Sequence, residues 1–206
     1  MKFCTVTRDG LIDSMMVRLG YEKSDPADAD LLMFPGGEDV SPGLYHAEKH
    51  PRTYCNPDRD ARESLVFRTY HDRRKIGICR GGQFLNVMNR GRMFQDVTNH
   101  TRSHVLLYRN ENDETEKYTV TSTHHQMMIP APKALLWGTA RESTYRDRSE
   151  PSKVPVTFGI DRDDIEIVFY PRTKSLCFQP HPEYGGKDDT LRLFERCLAR
   201  FIAASK

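Results

Sequence analysis

Lys75-Ile76-Gly77-Ile78-Cys79-Arg80-Gly81-Gly82-Gln83 is the stretch whose reading decides the fold. Residues 75–79 read as a short buried strand, and Gln83 to Asn89, closed by Gly91, reads as a helix. A cysteine and two glycines join them. A residue at such a strand-to-helix turn is often held in a strained backbone conformation, and small neighbours make room for it. The turn aims the Cys79 side chain out of the sheet into a cleft. It also sets the sulfur at the start of a helix, where unpaired amides and partial positive charge stabilise a thiolate. The thiolate is the form in which cysteine attacks a carbonyl. A buried structural cysteine would fit the same pattern, so its partners decide between the two.

Working outward, strand and helix patterns alternate through the first half. Residues 2–6 read as a strand. Leu11, Ile12, Met15, Met16 and Leu19 lie at helical spacing over 9–19, with Gly20 as a stop. Residues 30–34 are an apolar run ending in Pro35-Gly36-Gly37, as a buried strand entering a tight turn would be. Residues 58–74 predict a second helix. Strands separated by helices pair in parallel and form a layered α/β sheet. The second half predicts strands over 103–109, 117–122, 134–140, 164–170 and 175–179. A helix from Asp188 to about Ala203 closes the chain, capped by Asp188 or Asp189, with Leu191, Phe194, Leu198, Phe201 and Ile202 on its apolar face. The polar stretch 141–153 reads as a surface loop. No repeat, low-complexity tract or linker divides residues 1–206, which read as one domain.

Three short motifs then fall into order. Gly77-x-Cys79-x-Gly81-x-Gln83, Pro35-Gly36-Gly37 upstream and His181-Pro182-Glu183 downstream together resemble the signature of class I glutamine amidotransferases. Within that superfamily the chain is most similar to the γ-glutamyl-γ-aminobutyrate hydrolase branch, the peptidase C26 family. That closer likeness rests on Ile78-Cys79-Arg80-Gly81, on residues 36–42, on Ser122-Thr123-His124-His125-Gln126 and on Asn56-Pro57-Asp58-Arg59-Asp60. It covers roughly residues 30–200. The resemblance implies a flavodoxin-like three-layer α/β sandwich of the class I glutamine amidotransferase type. It also implies a Cys79, His181, Glu183 triad and an oxyanion hole from the backbone at Gly37 and Arg80. Substrate contacts would come from Gln83, Ser122, Thr123 and His124. The chain departs from the pattern at Pro180, where a tryptophan is usual, and at Thr121, where asparagine is common. Both departures bear on the leaving-amine side of the pocket.

The chemistry needs these residue types. A thiolate attacking an amide requires a histidine to pass a proton to the departing amine, and that histidine requires a group to orient it. His181 and Glu183 are two apart after an apparent strand, and in an extended segment such residues point the same way. The oxyanion formed on attack needs preorganised donors, and glycine lets backbone approach closely.

Composition narrows the classes. With 31 basic and 29 acidic residues the formal net charge is +2, against a phosphate-tracking nucleic-acid surface. There is no apolar run of about 18 residues for a membrane span. Met1 to Val6 lacks a signal-peptide core, so a cytoplasmic chain is expected. The five cysteines, Cys4, Cys55, Cys79, Cys177 and Cys197, form no C-x-x-C pair and read as free thiols in a reducing compartment. His46 and His50, and His100 and His104, are four apart, and His124 and His125 are adjacent. Neither spaced pair lies in a helical pattern or in an H-E-x-x-H arrangement, so no metal is expected. The chemistry requires no organic cofactor.

The expectation is a cysteine hydrolase that cleaves the γ-glutamyl amide bond of a small molecule, glutamine or a γ-glutamyl amine, through a thioester on Cys79. A glutaminase subunit serving a separate synthetase or amidoligase partner fits the same residues. A catalytically silent binding protein on this fold would be expected to lose one of the three triad residues, and all three are present.

Overall fold

The apolar runs of the first half are buried on both sides, as strands covered by helices on two faces must be. The computed structural model describes residues 1–146, 163–186 and 188–205. In chain order the first half gives β1 (Lys2–Thr5), α1 (Gly10–Arg18), β2 (Glu22–Lys23), β3 (Leu31–Phe34), α2 (Pro57–Thr69), β4 (Arg74–Ile78) and α3 (Arg80–Met88). The second gives β5 (Arg92–Phe94), β6 (His104–Arg109), β7 (Thr115–Val120), β8 (Met127–Ile129), β9 (Leu135–Ala140), β10 (Asp164–Tyr170), β11 (Ser175–Phe178) and α4 (Thr190–Ala204).

Nine strands form one sheet in the order β2-β1-β3-β4-β11-β10-β9-β6-β7. The first five are parallel, and β10, β9, β6 and β7 extend the sheet antiparallel. The start of this order is that of flavodoxin-like sheets. Successive strand residues serve opposite faces. Phe3, Leu31, Met33 and Ile76 pack with Ile12 and Met15 of α1 and Phe194 and Phe201 of α4. Cys4, Leu32, Phe34 and Cys177 pack with Phe67 of α2 and Phe84 and Leu85 of α3. The result is the expected three-layer α/β sandwich, and each fully buried large apolar side chain contributes about 1.5–3 kcal/mol.

Four details differ from the sequence reading. The second helix, expected to reach residue 74, ends at Thr69: Tyr70 leaves helical geometry at φ −106°, ψ 50°, and the chain must straighten to enter β4. The third helix starts at Arg80, three residues early, in spite of two glycines. Close packing overrides their low helix propensity, since a Cβ on Gly81 would lie 1.9 Å from the Phe34 carbonyl oxygen. The small antiparallel pair β5–β8 and the two-residue β2 gave no periodic signal. Of the polar stretch 141–153, residues 141–146 carry only an isolated bridge between Val97 and Arg146, and the rest lies outside the described residues.

One buried charge on the sheet yields a test. Lys75 of β4 is fully buried, and its Nζ donates to the carbonyls of His71, Arg73 and Thr173 at 3.1, 2.7 and 3.4 Å. Burial lowers its pKa from 10.5 to about 8. Between these values the unfolded chain holds a proton that the folded chain has released. Stability therefore rises as pH goes from about 8 to 10.5, by up to about 3 kcal/mol. Urea titrations across this range should show that rise in the wild type and its loss in Lys75→Met.

Candidate active site

Parallel strands deliver the three motifs to one edge. Pro35-Gly36-Gly37 follows β3, Cys79 follows β4, and His181 follows β11. Phe34 pairs with Gly77 and Phe178 with Ile78, so all three chain segments leave the sheet at the same level. Ligand sites of open α/β sheets form at such carboxyl ends.

Cys79 caps α3 at φ 51°, ψ −115°, a region that costs a non-glycine residue of order 1–3 kcal/mol and is retained where the surroundings force it. Its N–H donates to the Phe178 carbonyl at 2.8 Å and its carbonyl accepts from Gln83 at 3.1 Å, which fixes the turn from both sides. His181 Nδ1 and Glu183 Oε1 are 2.6 Å apart. The imidazole Cε1 and the Cys79 Cβ both lie near the point where a Gly36 side chain would begin, at 3.2 and 3.7 Å. The Cys79 sulfur is close enough to this ring to act on its charge. Burial disfavours the imidazolium, but Cys79 and Glu183 outweigh it and push the pKa up to about 10. Such a group is charged at neutral pH and has a proton to donate.

Glu183 reaches His181 by a route other than the expected strand geometry. β11 ends at Phe178, and Pro182–Tyr184 form a 3₁₀ turn, which brings the carboxylate back onto the ring. Two residues outside the expected catalytic set hold the histidine. Thr121 Oγ1 accepts from the His181 N–H at 2.9 Å and donates to its carbonyl at 3.3 Å. The Tyr184 ring stacks on the imidazole with centroids 4.4 Å apart and planes 3° from parallel.

Cys79 opens on a cleft of about 170 Å³ that Gly37, Arg80, Gln83, Thr123, His124 and Gln126 help to line. Arg80 is the first residue of α3, so its backbone N–H has no intrahelical acceptor. Gly37 sits at φ 136°, which side-chain-bearing residues rarely adopt. Gln83 is buried, and its Nε2 donates to Gln179 Oε1 and the Gln126 carbonyl at 3.2 and 3.3 Å. Thr123 is exposed to the cleft. The Ser122 hydroxyl and the His124 N–H both donate to the His100 carbonyl, at 2.5 and 3.0 Å, so these two groups brace the cleft wall.

Behind the cleft lies a buried ionic cluster, of which only the Arg59–Glu63 pair, four apart on α2, has a spacing visible in the sequence. Arg80 pairs with Asp60 and Glu63 of α2. Glu63 Oε1 also accepts from Arg59 Nε at 2.8 Å. Arg59 reaches on to the Pro35 carbonyl at 2.9 Å and to Glu38 at 3.2 Å. A Cβ on Gly37 would stand 2.3 Å from its guanidinium. Asp60 Oδ2 accepts the Ser41 N–H at 3.0 Å. The cluster thereby ties the Gly36-Gly37 turn to the residue after the nucleophile. Among the described residues no helix is long and apolar enough to cross a membrane.

The Peptidase C26 family model matches residues 26–143. The chain is 37% identical over 76 residues to protein NtpR of Enterococcus hirae, covering 35% of this chain and 32% of that one. It is 31% identical over 119 residues to a protein of Lactococcus lactis subsp. cremoris provisionally named glutamine amidotransferase-like protein YvdE homolog, covering 48% and 63%. These matches span less than two thirds of either relative. Among solved structures, a protein from Thermoplasma acidophilum provisionally described as one of the subunits of a GMP synthase superposes with a TM-score of 0.66 at 15% identity, covering 100% of this chain and 94% of that one. At that identity the likeness shows the fold.

Proposed function

The chain belongs to the peptidase C26 family, in the class I glutamine amidotransferase superfamily, and on that premise we propose that it is a cysteine hydrolase that cleaves γ-glutamyl amides. The observation that carries the proposal is the strained Cys79 at the head of α3, beside a His181 whose Nδ1 is held by Glu183 Oε1 at 2.6 Å and whose ring is within reach of the sulfur.

In the proposed reaction the Cys79 thiolate adds to the side-chain carbonyl of the γ-glutamyl group, and a C–S bond forms. The oxyanion is received by backbone N–H groups at Gly37 and Arg80. The C–N bond breaks as His181 gives its proton to the leaving amine, which leaves a γ-glutamyl thioester. Water then attacks the thioester carbonyl and yields its proton to His181. The C–S bond breaks, glutamate leaves, and thiolate and imidazolium are restored. Gln83 and Thr123 are proposed to hold the glutamyl head group.

A second reading keeps the chemistry and changes the destination of the amine: a glutaminase that passes ammonia to a separate synthetase. Its support is the likeness to a protein described as part of a synthase. Glutamate release from glutamine and from a panel of γ-glutamyl amines, measured on the chain alone, tests both. Steady turnover of γ-glutamyl amines is expected. Turnover of glutamine only after a synthetase is added would favour the ammonia-donating role. A folded chain that releases no glutamate from any of them, and takes no covalent label at Cys79 from a glutamine-like electrophile, would end both readings.

A further inference from the structure

We propose that His100, His104 and Glu166 bind one divalent transition-metal ion, with His124 as a further nitrogen donor, beside the substrate cleft and outside the triad. His100, His104 and Glu166 offer ligand atoms that all lie within 4.8 Å of one another. None of the four side chains is more than 6% exposed.

The geometry argues for an ion. One oxygen, Glu166 Oε1, has His100 Nδ1 at 3.2 Å, His104 Nε2 at 3.4 Å and His124 Nε2 at 3.4 Å. These separations are within hydrogen-bonding range, yet none of the four atoms is in a hydrogen bond. Three ring nitrogens therefore converge on one buried carboxylate oxygen. The separations are compatible with a common neighbour: around a tetrahedral ion with bonds of about 2.05 Å, ligand atoms lie about 3.3 Å from each other, the spacing that Glu166 Oε1 keeps to each nitrogen.

The outer ring nitrogens support the same assignment. His124 Nδ1 is 2.9 Å from the Gln126 carbonyl and His104 Nδ1 is 3.4 Å from the Arg102 carbonyl. A carbonyl only accepts, so each Nδ1 carries the hydrogen and each Nε2 can present a lone pair toward Glu166. His100 Nε2 lies 3.1 Å from Asp164 Oδ2. A metal-bound histidine that turns its far nitrogen to a carbonyl or a carboxylate is the usual outer arrangement of such sites. Lone pairs converging on a buried carboxylate oxygen repel one another unless a positive charge sits among them. Imidazoles with one carboxylate suit zinc and its first-row neighbours.

The ion would be a positioning element. It would join the turn before β6, the centre of β10 and the loop 121–126, whose Thr123 and His124 line the cleft. With the donors so buried, no position is open for catalysis.

Zinc is the probe. The full chain, dialysed against chelator and then loaded with Zn²⁺, is expected to retain about one zinc per chain by plasma mass spectrometry and to gain thermal stability. X-ray absorption is expected to find only nitrogen and oxygen neighbours at about 2.0–2.1 Å. Glu166→Gln and His104→Ala should each weaken zinc binding at least tenfold, while Cys79→Ser should leave it unchanged. A wild-type chain that retains no zinc and gains no stability from it would overturn the proposal and leave a proton-sharing cluster. So would sulfur in the zinc shell, or loss of binding in Cys79→Ser, since either places the ion on the triad. If the two ligand variants fail to fold, the wild-type stoichiometry and absorption spectrum still decide.

Discussion

Cys79→Ser is expected to lower glutamate release by roughly 10⁴-fold or more, with the fold and substrate affinity retained. The size follows from what the serine cannot do. A serine hydroxyl ionises far less readily than a cysteine thiol, so it is much harder to bring to the anionic form in which the side chain attacks. The substitution also removes Cys79, which together with Glu183 outweighs burial and pushes the His181 pKa up to about 10, so His181 becomes a poorer proton donor to the leaving amine. The strained backbone at φ 51° is set by the Phe178 and Gln83 hydrogen bonds, which a serine keeps, so binding should persist while turnover falls. His181→Ala should cost a similar factor, and combining the two should cost little more than either alone, because they act as one unit. Glutamate release by purified Cys79→Ser within tenfold of wild type would remove Cys79 from the mechanism.

Much of this arrangement can be read from the sequence, for a definable reason. The strand-to-helix turn at Cys79, the turn after β3 and the segment after β11 are each local patterns, and parallel pairing of β3, β4 and β11 brings their ends together. What the sequence does not display is what depends on residues far apart in the chain. Glu63 lies one turn beyond the Asn56–Asp60 motif, and its partner Arg80 arrives from another helix. Thr121 grips His181 across 60 residues. The His100–Glu166 cluster is hidden because helical spacing is no guide to it. His100 and His104 lie in a turn and at the start of a strand, and the carboxylate comes from β10. His46 and His50, which share the same spacing, stay apart from it: His46 is exposed and His50 accepts from the Arg52 N–H. Glu183 is expected beside His181 and is found there, but the 3₁₀ turn that achieves it is not the expected strand. Pro182 permits either conformation, and the sequence alone does not choose.

Glu63→Ala should destabilise the fold by about 3–5 kcal/mol, because it removes the shared partner of two buried cations. Glu63 is 0% exposed, and Arg59 and Arg80 are 6% and 1% exposed. In the wild type Glu63 Oε1 serves Arg59 Nε and also accepts from Thr7 Oγ1 at 2.8 Å, while Oε2 faces Arg80. After truncation Arg80 keeps Asp60, and Arg59 keeps the Pro35 carbonyl and the half-exposed Glu38. Each guanidinium is left short of compensation where water cannot reach it. An exposed pair makes the contrast. Lys23 and Asp13 are 2.5 Å apart with the lysine 56% exposed, and Lys23→Ala should cost less than about 1 kcal/mol. Urea titrations of the three proteins compare these losses directly. The same substitution frees Arg59 from one side, and Arg59 is what lies against Gly37 and holds Pro35. Loss of turnover in Glu63→Ala should therefore exceed the loss of folded fraction at low urea, where the variant is still largely native. A destabilisation no greater than that of Lys23→Ala would mean that the cluster is already hydrated and does not brace the turn that is proposed to receive the oxyanion.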